Sequence, residues 1–378
     1  MKTIYHILFF KFILHLKKKI IVFLSYKLKL LHYKHIKMGV CGSEQKRREK
    51  VGGKKQEIKE SNKKEKIKEE KILSLEAENL LLLKSDYILS LKDSKREDIT
   101  KYYKLSSEII GEGTGGTVCT GENSLGTFAI KRINKDKLLD IESLMQEVKY
   151  SKLNHPNIIK YYDIFEDLKT ISFVMELGDG GDLFDFILNS PLGKLTVDLT
   201  LDLLIQILDV LKFLHNEIKI IHRDLKPENF MILIGENDHP IIKLIDFGYA
   251  IDIPENNKLL FEVVGTLSYS SPELLNKFGY NEKIDIWSLG IIIFNMLTGL
   301  EPFNNETDSQ LESQIKFKKI QFDFIDNEQM RDLVRKMLER NPHKRISANE
   351  AFDIVSEIKK ERDLEYEKEM CKNIEENE

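Results

Sequence analysis

Hydrophobic and polar positions along this chain fall into three textures. Across residues 1–37, short apolar runs such as Ile7–Phe10 and Ile20–Leu24 alternate with lysines. A membrane-spanning helix needs about 18 or more nearly uncharged residues. Lysines, among them Lys11, Lys17, Lys18 and Lys19, interrupt every window of that size. A secretory signal would need one clean apolar block and a small-residue cleavage site, and neither is evident. Residues 44–72 are a mixed Lys/Glu run that predicts a solvated linker or frayed helix. Ile72–Leu91 is apolar and predicts a helical lead-in, spanning 72–102, that packs on a folded domain. From Tyr102 the pattern changes again. Tyr103–Ile110, Thr117–Thr120 and Thr127–Ile133 are rich in β-branched residues and predict strands. At the far end, Ser356–Glu378 holds nine acidic and five basic residues and predicts a short acidic helix in a tail over 354–378.

Composition sharpens this division. The 378 residues include 58 Lys+Arg and 62 Asp+Glu, a net charge of −4, with 42% hydrophobic residues, enough for a sizeable core. Residues 1–71 alone carry a balance of +14, which leaves −18 for residues 72–378, and all eight prolines lie at Pro156 or later. A uniformly basic nucleic-acid binder, a collagen-like chain and a wholly disordered chain are excluded. An acidic globular body with a basic N-terminal extension, 1–71, is expected, the extension unfolded. Cys41, Cys119 and Cys371 include no C-x-x-C pair, so neither a disulfide framework nor a zinc motif is expected, and a reducing, cytoplasmic location is. Within the extension, Met38-Gly39-Val40-Cys41-Gly42-Ser43 matches the N-myristoylation pattern, provided Met38 initiates the chain. Gly39 would then carry the acyl chain, with Cys41 and the basic residues after it as the second signal that stable attachment to a cytosolic membrane face requires. Two readings of residues 1–37 stand side by side: a basic membrane-surface segment, or translated upstream sequence.

The chemistry begins at Gly111-Glu112-Gly113-Thr114-Gly115-Gly116-Thr117-Val118. A lone G-x-G-x-x-G also fits a dinucleotide fold. There a helix should open at the glycines, whereas here strands follow, which suits a hairpin whose backbone N–H groups close over phosphates. The strand that follows ends Ala129-Ile130-Lys131 and supplies a cation. His222-Arg223-Asp224-Leu225-Lys226-Pro227-Glu228-Asn229, Asp246-Phe247-Gly248, Ser271-Pro272-Glu273, Asp285–Gly290 and Arg345 follow in order.

With the glycine loop and Lys131, these residues resemble the signature set of eukaryotic protein kinases over residues 103–353. The resemblance implies an α+β, bilobal fold: a small antiparallel-sheet lobe with one main helix, a larger mainly helical lobe, and ATP with Mg²⁺ between them. It implies that Lys131 holds the α/β-phosphates, Asn229 and Asp246 hold the metal, Asp224 accepts the proton of a substrate hydroxyl and Lys226 steadies the γ-phosphate. Ile110, Val118, Ala129 and the hinge Met175-Glu176-Leu177, with Met175 as gatekeeper, would enclose the nucleotide. Lysine at 226 is similar to serine/threonine kinases. A pseudokinase scaffold is the rival reading, and the intact set Lys131, Asp224, Asn229 and Asp246 weighs against it.

The fit has departures. Lys131 should pair with a glutamate on the next helix. Glu147 supplies the charge, although the count to His155-Pro156-Asn157 is one residue short and would favour Gln146. Gly115 stands where an aromatic residue commonly caps the loop. Asn154–Ile159 and Gly180–Asp185 resemble the calcium-dependent and calmodulin-dependent kinase group. Yet no D-x-[DN]-x-[DN]-G loop follows Gly248, and the acidic tail has the wrong sign for a calmodulin target, so neither calcium nor calmodulin is an expected partner. In the activation segment, Glu262 stands where many kinases place a phosphorylated threonine that binds Arg223, and Thr266 and Ser268 are candidate phosphosites. Asp182 and Glu228 fall where related kinases attract arginines upstream of the target residue in protein substrates.

Overall fold

The computed structural model describes residues 94–375, apart from 114–115, 136–139, 236–238 and 305–306. The expectations for the basic extension, including Gly39 and Cys41, and for the lead-in up to residue 93 lie outside the described residues.

The small lobe is a five-stranded antiparallel sheet of β1 (Lys104–Gly113), β2 (Gly116–Asn123), β3 (Gly126–Asn134), β4 (Tyr161–Glu166) and β5 (Thr170–Met175) in the order β1-β2-β3-β5-β4. Period-two alternation buries both of its faces. Ile133, Ile171 and Phe173 pack against Leu144 and Val148 of helix α1 (Ile141–Tyr150). Ile130, Cys119, Phe165 and Val174 form a second cluster with Ile99 and Tyr103 from the chain ahead of the sheet. Asp140 starts α1 by accepting a hydrogen bond from the Ser143 N–H at 2.9 Å.

The helical lead-in is corrected over its described part. Lys95 meets the free edge of β4, where its N–H donates to the Ile164 carbonyl at 2.8 Å and Glu166 N–H donates back to the Lys95 carbonyl at 2.9 Å. One 3₁₀ turn, Ile99–Lys101, then follows under an Asp98 cap. An unpaired edge offers backbone partners to any passing strand. Only Ile99 of this stretch has a core position to fill, so no apolar stripe drives a helix.

The large lobe is built on α3 (Val197–Lys212) and α5 (Lys283–Thr298), preceded by the short α2 (Leu183–Leu188). Helix α5 is apolar around most of its circumference and is therefore enclosed, with Trp287 at its centre. Two ribbons carry the loops facing the small lobe: β6 (Ile220–Ile221) with β9 (Ile251–Asp252), and β7 (Phe230–Ile234) with β8 (Pro240–Leu244). Helices α4 (Pro272–Leu275), α6 (Asp308–Phe317), α7 (Glu328–Met337) and α8 (Ala348–Glu375) complete the lobe. The expected boundary at 353/354 is not a break. Helix α8 is continuous across it, and Val355 and Ile358 still belong to the core, so the tail starts later. Beyond them, Lys359 and Arg362 pair with Asp202 and Asp198 of α3. No helix among the described residues is long and apolar enough to cross a membrane.

A buried ion pair closes the far side of this lobe. Arg345 meets Glu273 through two bonds of 2.6 and 2.9 Å and also donates to the carbonyls of Glu339 and Lys283. Neither partner can lose the other without leaving a charge in the interior. Arg345→Leu should therefore lower stability by about 3–5 kcal/mol, read as a fall in the denaturant midpoint of the full chain. Wild-type stability in that variant would show the pair to be dispensable.

Candidate active site

The cleft between the lobes is assembled from loops that the sheet and α5 hold in place. At its roof, β1 turns into β2 through the glycine run. Gly116 is required by close approach, because a Cβ there would lie 2.2 Å from the Arg132 carbonyl on β3. Thr114 and Gly115, expected in nucleotide binding, fall among the residues not described. Gly111 and Val118 face each other across the β1–β2 ladder, while Ile110, Glu112 and Thr117 are largely exposed. Ala129 pairs with Met175, and Lys131 with Phe173, so the alternation of β3 places Ala129 and Lys131 on one side.

Lys131 reaches Glu147, not Gln146. Its Nζ lies 2.7 and 2.8 Å from the two carboxylate oxygens, whereas the Gln146 side-chain oxygen is buried without a protein partner. Burial opposes charge on both members of the pair. The nearby carboxylates of Glu147 and Asp246 nevertheless hold the Lys131 ammonium above the ordinary lysine value. Tyr161, which the motif comparison does not single out, adds a long hydroxyl contact of 3.4 Å to Glu147.

The floor depends on Asp285 of α5. Its carboxylate accepts the N–H groups of His222 and Arg223 at 2.9 and 3.0 Å and lies 2.9 Å from His215 Nε2. Burial raises its pKa, but His215 and these donors outweigh that and keep it below the usual aspartate range. With its backbone clamped, Arg223 adopts φ 69°, and Asp246 likewise sits at φ 61°. Both are costly for non-glycine residues. Asp224 follows, and four groups converge on it. Thr266 N–H and hydroxyl donate at 3.0 and 2.8 Å, Lys226 Nζ lies at 3.1 Å, and Asn229 Nδ2 donates to its carboxylate at 3.1 Å and its carbonyl at 2.7 Å. Lys226 also donates to the Thr266 hydroxyl at 3.1 Å. Gly265 permits this closure: it has φ 88°, and a Cβ there would meet the Arg223 carbonyl at 2.4 Å.

Asp246 is half-buried, and its charge is favoured. Burial alone would raise its pKa, but Lys131 and the Gly248 N–H hold it below the usual value. Since Asn229 donates its amide nitrogen to Asp224, its amide oxygen remains as an acceptor. A carboxylate and an amide oxygen fit Mg²⁺, which takes few protein oxygens and completes its shell with phosphate and water. His222 is pushed towards its neutral form by burial, and its ring lies 5.3 Å from Phe247.

Arg223 ties the activation segment to its surroundings. Arg223 donates to Glu262 at 2.9 Å, to the Tyr280 hydroxyl at 3.1 Å and to the Tyr249 carbonyl at 2.6 Å. Leu260 and Tyr280 exchange two backbone bonds of 3.0 and 2.9 Å. Other expected residues are placed differently from one another. Glu176 turns its carboxylate to Lys243 at 2.8 Å, away from a nucleotide role for its side chain, while Leu177 is half-buried. Asp182 caps α2 by accepting from Asp185 N–H at 2.8 Å, and Glu228 is exposed on the turn before Asn229. Met231 was not expected in the site. It packs beneath the hinge at Gly178, where a Cβ would touch it, and its position two residues after Asn229 was the available signal.

A bilobal fold with a glycine hairpin, a buried lysine–glutamate pair and a loop carrying Asp224 and Asn229 defines a phosphotransferase cleft. The comparisons make this specific: the protein kinase domain family matches residues 103–355, and the chain belongs to that family. It is 38% identical over 268 residues to calcium-dependent protein kinase 33 of Arabidopsis thaliana, covering 68% of this chain and 50% of that protein. It is 38% identical over 230 residues to calcium-dependent protein kinase 5 of Plasmodium berghei (strain Anka), covering 60% and 40% respectively. The chain thus spans about half or less of the length of these curated relatives.

Thr266 emerges as a bridge inside the cleft, which argues against its free use as a phosphosite. Thr266→Ala should cut kcat for phosphotransfer about tenfold or more with little change in the KM for ATP, and Thr266→Ser should restore most of it. Steady-state kinetics of the two variants checks this, and an alanine variant as fast as wild type would contradict it.

Proposed function

We propose that this chain is a serine/threonine protein kinase that moves the γ-phosphoryl group of Mg-ATP to hydroxyls of protein substrates. The convergence of Thr266, Lys226 and Asn229 on Asp224, below the Lys131–Glu147 pair, is the observation that carries this reading. Asp224 accepts the acceptor hydroxyl's proton as the new O–P bond forms. The bond between the γ-phosphorus and the bridging oxygen breaks, and ADP leaves with that electron pair. Lys226 offsets charge on the transferring group, and Lys131, aligned by Glu147, holds the α/β-phosphates. Asp246 and Asn229 would hold Mg²⁺, which supplies charge neutralisation between the phosphates. Asp182 and Glu228 favour substrates with arginine before the target residue.

Incubation of the purified full chain with labelled Mg-ATP and arrayed Ser/Thr peptides, with and without upstream arginine, tests this reading. Label should enter the basic peptides preferentially, and Asp224→Asn should remove at least about 99% of the rate. Equal inertness of wild type and Asp224→Asn would sink the catalytic reading, and indifference to upstream arginine would remove the specificity.

We further infer that Glu262 replaces activation-loop phosphorylation, since it already neutralises Arg223. Phosphatase-treated protein should keep its full rate, and Glu262→Ala should lose about twofold to fivefold, the range an exposed ion pair carries. A wild type silenced by phosphatase, or an unaffected Glu262→Ala, would contradict this.

A further inference from the structure

Apolar side chains crowd onto the open face of the activation segment. Leu259, Phe261 and Val263 are 46, 62 and 48% exposed, and Phe278 is 74% exposed. A Cβ on Gly279 would meet Leu259 at 2.8 Å and Phe261 at 3.0 Å, so these two side chains lie over the same glycine and share one face. Leu260 between them packs the other way, against the buried cluster of Ile221, Leu274, Tyr280 and Ile284. This is the alternation of a strand whose outer face lacks a cover. A contiguous apolar patch of this kind marks a contact surface, because leaving it in water is unfavourable.

The backbone of the same stretch is open too. Tyr280 takes both the N–H and the carbonyl of Leu260, in an antiparallel bridge with bonds of 3.0 and 2.9 Å. The groups of the residues on either side then point away from Tyr280. Among the described residues, no backbone group bonds to the main chain of Leu259, Phe261 or Val263. Such an edge is a template for another strand. The stretch Lys258-Leu259-Leu260-Phe261-Glu262 indicates which strand fits. Paired antiparallel with itself about Leu260, it sets Leu259 against Phe261 of a second copy at the hydrogen-bonded positions, and Lys258 against Glu262 at the flanking ones. Pairing about Phe261 would instead set Glu262 against Leu260 and Lys258 against Val264. Charge also favours the first register. Glu262 shares Arg223 with the nearby Glu142, whose pKa is raised by burial and by the Glu262 charge. Two carboxylates beside one guanidinium leave an uncompensated negative charge, which Lys258 of a second copy meets.

We propose that residues 258–262 pair with the same stretch of a second copy of this chain, in an antiparallel contact with two-fold symmetry. The contact covers the Leu259 and Phe261 face and brings one copy's Lys258 to the other's Glu262. It goes beyond the kinase reading above and does not rest on it, since mass and cross-linking are read without phosphotransfer. Sedimentation of the purified full chain over a range of concentrations should show a reversible monomer–dimer equilibrium. Phe261→Asp, at an exposed position, should raise the dimer Kd at least about tenfold. Lys258→Glu sets like charges opposite each other twice in the contact and should raise it about threefold to tenfold, whereas Lys258→Arg should match wild type.

Cross-linking tests the register. Cys119 is buried and stays, while Cys41→Ser and Cys371→Ser remove the other thiols. In that background, Leu259→Cys chains mixed with Phe261→Cys chains should form disulfide-linked dimers under mild oxidation, because facing residues at hydrogen-bonded positions have Cα atoms about 5.5 Å apart. Either variant alone should form far fewer, since its own cysteines stand diagonally, beyond disulfide reach. A wild-type chain that stays monomeric up to its solubility limit overturns the proposal. So does a dimer that Phe261→Asp or Lys258→Glu leaves at wild-type strength, which would place the contact elsewhere. Disulfide yields as high in the single-variant samples as in the mixture would also overturn it. A monomeric chain in which Phe261→Asp raises the KM for a protein substrate would give this face to the substrate instead. Absence of phosphotransfer in a chain that dimerises and cross-links as expected would count against the kinase reading alone.

Discussion

Asp285 is the constraint on which the rest of the site depends. A carboxylate 1% exposed would be destabilising in an apolar helix unless its lone pairs were filled, and two backbone N–H groups and His215 fill them. The consequence is geometric. The N–H groups of His222 and Arg223 must point at α5, which forces Arg223 into a left-handed conformation and sets the direction in which the next residue, Asp224, leaves the backbone. Strain of about 1–3 kcal/mol at such a residue persists only where its surroundings over-determine it. Here they do, because the Arg223 side chain is fixed independently by Tyr249, Tyr280 and Glu262.

From that floor the coupling runs upward through α1. The helix is bolted to the sheet by Leu144 and Val148 and to the large lobe by Tyr150, and it presents Glu147 between these attachments. The Lys131–Glu147 pair is therefore less a source of stability than a report on where α1 sits. Its desolvation cost offsets much of its attraction. Glu142, at the other end of the helix, lies near Glu262; burial and that charge raise its pKa, while Arg223 opposes them. The same arginine thus bears on the activation segment and on the start of α1.

What the sequence made legible was the part whose geometry is local. The glycine run, Ala129–Lys131, His222–Asn229 and Asp246–Gly248 each position their groups through a few consecutive residues, so spacing alone identified them. Glu147 was one step harder, because a helix turns about 100° per residue and a one-residue count error moves the carboxylate off the cleft face. The partners of these groups were not legible. Tyr150 and Asp252 are 102 residues apart, Arg223 and Tyr280 57, and Asp285 and His222 63. No periodicity encodes such meetings. The same reason explains the non-helical course of residues 94–102: the free strand edge at β4 that Lys95 meets is invisible in those residues themselves.

The activation segment shows how these scales combine. A single ion pair to a half-exposed glutamate, 53% accessible at Glu262, contributes little by itself. A phosphate would bring more charge and three acceptors to the same arginine. Here the deficit is met by distribution. Arg223 divides its donors among an anion, a phenol and a carbonyl, the Leu260–Tyr280 exchange adds two backbone bonds nearby, and Thr266 closes onto Asp224 after the turn at Gly265. Each contact is of ordinary strength, but they restrain one short stretch of chain at three points, so the entropy of ordering it is met once and shared among them. Ordering of this segment is thereby spread along the chain.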